Sequence, residues 1–334
     1  NGTSTPQGVN TTGAQSYGDN TTTLNGTYTT ANGSFSVAGS TLLADNVTVN
    51  AGGSAGSITF TGAVDSATTA EGLTANSGQT TTFNALVGNS TALTTLTTDA
   101  NGTSTLRGVN TTGAQSYGDN TTTLNGTYTT ANGSFSVAGS TLLADNVTVN
   151  AGGSAGSVTF TGTVDSATTA KGLTANSGQT TTFGDMVGNS TALTTLTTDA
   201  AGTLALNGVT TTGQQTYGET SAVSLNGSFN TNNTSFTINA PATLTGNTTI
   251  NAGTGNITFT STVDSATAAR GLTANSSNVT TFNDLVGNTT ALSTLTTNAN
   301  GTSTLQGVNT TGAQSYGDNT TTLNGTYTTA NGSF

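Results

Sequence analysis

The phrase TTGAQSYGDNTTTLNGTYTTANGSF runs from Thr11 to Phe35, and it returns unchanged at Thr111–Phe135 and at Thr310–Phe334. Residues 1–100 and 101–200 differ at only eight positions, among them Ile58 against Val158, Glu71 against Lys171 and Leu86 against Met186. Residues 201–299 form a third, diverged copy, and 300–334 open a fourth. A period near one hundred residues marks a tandem array of structural units, in which neighbours must be mutually compatible. With no initiator Met and a last unit that stops at Phe334, the chain is expected to belong to a longer array.

A shorter rhythm runs inside each unit. VTVNAGGSAGSITF (Val47 to Phe60), LTANSGQTTTF (Leu73 to Phe83) and LTTDANGTSTL (Leu96 to Leu106) share one plan: an apolar residue, a small polar corner, then an alternating strand. Their closing residues Phe60, Phe83 and Leu106 fall at one repeated spacing, which suits one coil of a β-solenoid of roughly 20–25 residues. Four or five coils per repeat result. Val47 and Val49 alternate with Thr48 and Asn50, and Ile58 and Phe60 with Thr59, so each strand has one dry side. Corners at Ala51–Gly53, Asn76–Gly78 and Ala100–Gly102 are expected to supply the positive φ a sharp bend needs. No stretch carries a helical stripe; Thr68–Ala75 holds Gly72 among weak helix formers.

Composition agrees with thin coils. Only 31% of the chain is hydrophobic and 5% charged, too little apolar material for a thick globular core. The polar residues are mainly Thr, Asn, Ser and Gly with two prolines, which favours strands and turns over a disordered tail. The competing architecture is a string of immunoglobulin-like β-sandwiches, also about a hundred residues each. Absence of Trp, of Pro-bearing linkers and of any role for the inner rhythm counts against it.

Several function classes are excluded early. Net charge is −11, and Arg107, Lys171 and Arg270 are the only cations, so no basic footprint exists for nucleic acid or an anionic membrane surface. Apolar runs are too short to span a bilayer. Without Cys there are neither disulfides nor zinc thiolate sites. Gly52-Gly53-Ser54-Ala55-Gly56 fits the serine-hydrolase elbow on paper, but the chain has no histidine to act as base, and the third copy reads Ala252-Gly253-Thr254-Gly255.

The phrases GLTANSGQTTTFNALVG, LTTLTTDANGTSTLRGVNTTGAQSYGD and VDSATTAKGLTA resemble the repeats of large bacterial exoproteins similar to filamentous haemagglutinin, the β-strand-repeat adhesins. The resemblance covers essentially the whole chain and implies a right-handed parallel β-helix, exported and displayed as a long fibre or stalk.

The remaining candidate sites are surface features. Asp65, Asp165 and Asp264 recur in VDSAT, and Asp19, Asp119 and Asp318 in YGD, with Glu219 in that place in the third copy. They are read as corner residues bonding their own backbone, with calcium as the sharper alternative where stacked corners gather oxygen ligands. Glu71, Lys171 and Arg270 share one position, which therefore tolerates either sign of charge and is read as solvated. Asn10, Asn20, Asn25, Asn32, Asn46 and Asn89 head Asn-X-Ser/Thr sequons and are candidate glycosylation sites. Threonine arrays such as Thr80–Thr82 and Thr94–Thr98 are read as solvated β-branched positions, because an ice-binding face needs Thr-X-Thr at every coil.

The sequence thus points to a non-catalytic extracellular fibre or adhesin stalk, without cofactor. Its expected partners are further copies along the axis, laterally associated copies and surface glycans. The alternative is a carbohydrate- or surface-binding module using the polar faces or an exposed line of Tyr17, Tyr117, Tyr217 and Tyr316.

Overall fold

A computed structural model describes residues 2–52, 55–98, 101–153, 155–198, 202–298 and 300–334. The chain divides into two units, Asn1–Ala167 and Thr168–Phe334. Each is a parallel β-solenoid, with about 15 turns of ~21 residues between them and no helix among the described residues. The ladders are parallel throughout the described residues, so the β-sandwich alternative falls.

In the first unit three stacks of short strands form the faces of each coil. One stack runs Gln15, Phe35, Ile58, Thr81, Ser104, Thr122, Thr141, Val164. A second runs Val9, Tyr28, Val49, Ala75, Thr98, Tyr117, Val137, Phe160. The third runs Ser4, Thr22, Thr41, Val64, Val87, Val109, Tyr128, Val149. Inner positions are mostly apolar or small, with Gln and Tyr among them, and most are buried; outer ones are mainly Thr, Ser and Asn. The strand Leu73–Ser77, for instance, buries Leu73, Ala75 and Ser77 while Thr74 and Asn76 stay half-buried. The expected alternation is therefore present, and so is the expected row, since Phe60 stacks on Phe83 with ring centroids 5.2 Å apart and planes 8° from parallel. Each such ring contributes roughly 1.5–3 kcal/mol by burial, and the pair about 0.5–1.5 kcal/mol more.

The sequence repeat and the coil do not share a period. Starting at Gln15, four full turns end at Ser104. The chain then passes the third stack at Val109 and reaches Gln115 on the second, between Leu96 and Phe135. One hundred residues thus cover four turns and two of three further faces, and every feature of the repeat moves round by one face in the next copy. The second unit does the same: Gln215 stacks between Leu196 and Phe236, while its equivalent Gln314 stacks on Leu295 in a different column.

Corners depart from expectation in an informative way. The long strand Thr21–Thr30 turns a corner without breaking, and its register against Ser40–Ala51 slips between Leu24 and Gly26. One residue there, Asn25, opposes three exposed ones, Ala44, Asp45 and Asn46. Gly26 takes φ +79° at this bend, a left-handed conformation that glycine adopts without strain. Gly78 and Gly102 do not take positive φ. Gly102 is instead required by space, because a Cβ there would lie 2.0 Å from the Gln79 carbonyl oxygen of the coil it stacks on. Gly53, in the first predicted corner, and Ala100, in the third, lie outside the described residues.

Candidate functional site

Polar residues inside the coils form a stitch that recurs in every repeat. Gln115 is fully buried, and its Nε2 donates to the Val109 carbonyl at 3.2 Å, to Thr111 Oγ1 at 3.2 Å and to the Thr129 carbonyl of the next coil at 2.9 Å. Its Oε1 accepts the Tyr117 hydroxyl at 3.1 Å. Gln15, Gln215 and Gln314 make the same contacts with Tyr17, Tyr217 and Tyr316. The proposed exposed tyrosine line is thereby corrected: Tyr117 and Tyr217 are buried, and Tyr17 and Tyr316 half-buried in the outermost coils. Their place next to Gln, on the inward side of a strand, turns the rings into the core. Burial pushes the Tyr117 and Tyr217 hydroxyls well above the ordinary phenol range, with Tyr128 and Glu219 respectively adding to the shift.

The recurring carboxylates also brace coils together. Asp65 Oδ1 accepts the backbone N–H groups of Ser90 and Thr91 at 2.7 and 3.2 Å, and Asp264 accepts those of Thr289 and Thr290 at 2.8 and 3.1 Å. The expected bonding to their own backbone is replaced by bonding to a loop of the next coil. In the YGD position Asp119 accepts the Thr98 hydroxyl, Glu219 that of Thr198 at 2.9 Å, and Asp318 that of Thr297. Among the described residues no three His, Cys, Asp or Glu side chains converge on a point where a metal ion could sit. Ser54 and Ser154 of the elbow-like motif lie outside the described residues; the motif leads into the strand Ile58–Phe60 or Val158–Phe160, not into the helix an elbow requires.

The candidate glycosylation asparagines face outward. Asn10, Asn20, Asn32, Asn46 and Asn89 are exposed and Asn25 is half-buried at its corner. Asn46 Oδ1 accepts the Gly72 N–H at 2.7 Å, which engages the amide oxygen and not the nitrogen a sugar would be joined to. Glu71, Lys171 and Arg270 are all half-buried; at Glu71 and Arg270 the backbone N–H donates to Ser66 or Ser265 Oγ at 2.9 Å, so the fold uses their main chain. Threonine rows are longer than the sequence suggests. Thr80, Thr103 and Thr121 stand in register beside Thr82, Thr105 and Thr123, so three successive coils carry an outward Thr-X-Thr.

One surface feature was not anticipated. Leu86, Met186 and Leu285 occupy the same repeat position and are 46%, 41% and 37% exposed. Beside Leu86 lies a groove of ≈ 340 Å³ lined by Val87, Asn89, Gly108, Val109, Asn110, Thr127 and Thr129. Beside Leu285 lies its counterpart of ≈ 460 Å³, with Val286, Asn288, Gly307, Val308, Asn309, Thr326 and Thr328 in the equivalent places. The signal was the adjacency Leu86-Val87: consecutive residues of a strand face opposite ways, so when Val87 enters the core Leu86 must leave it.

No family model, curated protein or solved structure matches this chain. The capacities of its surface come from its own chemistry: uncharged amides and hydroxyls in rows, an apolar projection at Leu86, Met186 and Leu285, and a groove beside the first and last of these. Among the described residues no helix is long and apolar enough to cross a membrane.

Proposed function

We propose that this chain is a non-catalytic structural segment of an extracellular or cell-surface fibre, such as an adhesin stalk, as the resemblance to filamentous-haemagglutinin-like exoproteins suggests. The observation that carries the reading is the coil-on-coil ladder. Carboxylates at Asp65 and Asp264 and the buried glutamines, held in turn by their tyrosines, are engaged in joining one coil to the next. Successive coils template each other through these ladders, and further copies of the repeat can extend the stack along its axis. Sugars on Asn10, Asn20, Asn32, Asn46 or Asn89 would coat the outside without disturbing the core. The second reading, a module that binds surfaces or carbohydrates, rests on the polar rows alone once the tyrosines are inside.

Electron microscopy of chains lengthened by whole copies of residues 101–200 tests the structural reading. Each added copy is expected to lengthen the particle by about 22 Å, since strands stack roughly 4.8 Å apart. Particles whose length does not grow with copy number would refute it.

A further inference from the structure

Leu86, Met186 and Leu285 hold an apolar side chain in solvent at one repeat position, and at Leu86 and Leu285 it borders a groove. The charges that flank it differ between repeats: exposed acids, Asp185 and Asp284, precede Met186 and Leu285, whereas only the Leu86 position has a cation beside it, and of the two acidic positions Leu285 is the one that borders a groove. Beside the Leu86 groove the chain carries Ala85 and the exposed Arg107, which precedes the groove residue Gly108. Beside the Leu285 groove the same two positions hold the exposed Asp284 and the neutral Gln306. One groove is therefore flanked by a cation and the other by an anion, while the linings themselves are uncharged.

We propose that these two grooves are complementary, so that the Leu86 groove of one copy of this chain seats against the Leu285 groove of a second copy, with Arg107 opposite Asp284. The inference rests on the structural reading above and names its lateral partner. Each leucine projects into the other groove, and the ion pair selects this pairing over Leu86 against Leu86 or Leu285 against Leu285, which would set like charges together. The contact is heterologous, joining one patch of a copy to a different patch of the next. A bundle of fibres would grow this way.

Sedimentation velocity on the full chain, produced without glycosylation, tests it. The wild-type chain is expected to associate with rising concentration and to dissociate at high salt. Arg107→Glu and Asp284→Lys should each weaken association by about tenfold, and the combined variant should recover most of the loss because the charges are exchanged. Asp284 Oδ1 also accepts the Leu285 N–H at 2.8 Å, so Asp284→Asn, which keeps an acceptor there, should weaken association by removing charge alone. A wild-type chain that stays monomeric, single variants that associate as wild type, or a combined variant no better than its parents would overturn the proposal. Lengthening of the particles with added repeats, seen in the same preparations, would leave the structural reading standing if this contact fails.

Discussion

The Tyr117 hydroxyl donates to Gln115 Oε1 at 3.1 Å across two residues of one strand, and both side chains lie wholly inside the coil. Tyr117→Phe leaves that amide oxygen without its donor in the core, a loss of about 1–3 kcal/mol. Gln115→Leu is expected to cost more, because the Val109 and Thr129 carbonyls lose a donor as well. Urea unfolding of the two variants, read by circular dichroism, checks the order; equal midpoints for wild type and Tyr117→Phe would count against the stitch.

The opposite outcome is expected at three inward threonines. Thr41, Thr81 and Thr141 have buried hydroxyl oxygens without a hydrogen-bond partner. Valine keeps the branched shape and removes the unpaired group, so Thr41→Val, Thr81→Val and Thr141→Val should each stabilise the fold by about 1 kcal/mol. A lowered urea midpoint in any of them would show that the hydroxyl is in fact satisfied.

Alkaline pH should unfold the coils at a threshold set by tyrosine. The ordinary hydroxyl value is 10.0, and burial raises Tyr117 and Tyr217 well above it. A group whose folded value is raised contributes stability that is fully present below the unfolded value and is lost as pH climbs towards the folded one. Stability should therefore hold to about pH 10 and fall beyond it. Absorbance at about 295 nm, where ionised phenols absorb, should show half-buried Tyr17 and Tyr327 ionising early, and the buried tyrosines only together with loss of the β signal. Ionisation of all tyrosines while the β signal stays intact would contradict this.

Two glycines should respond very differently to alanine. A Cβ on Gly139 would lie 2.2 Å from the Asp119 carbonyl oxygen and 2.3 Å from that of Asn120, backbone that cannot swing aside. Gly139→Ala must push two coils apart and should cost about 3 kcal/mol or more. At Gly13 a Cβ meets nothing within 4 Å, so Gly13→Ala should change stability by less than about 0.5 kcal/mol. Thermal unfolding of the pair gives the comparison directly.

The solenoid itself was legible because its signal is local. Alternation at Val47, Val49, Ile58 and Phe60 needs only the chemistry of one strand, and the spacing of Phe60 and Phe83 exposes the turn length. By contrast, the partners of Asp65, Gln115 and Tyr117 were hidden, since each bonds groups a coil away or shares an inner face whose direction depends on register. A carboxylate at a corner looks the same in sequence whether it caps its own turn or the loop above.

By itself the sequence determined that this is an all-β array of coils with no histidine or thiol, and with too few cations for a nucleic-acid surface, because composition and period are properties of the chain alone. Only the tertiary structure decided that a hundred residues make four turns and two faces, since the coils between Gln15 and Gln115 range in length with the corner each one turns. That fractional count places Gln115 one face away from Gln15. Its physical origin is stacking: a strand settles where its inner side chains meet those of the coil below, and not where the sequence repeat would put it.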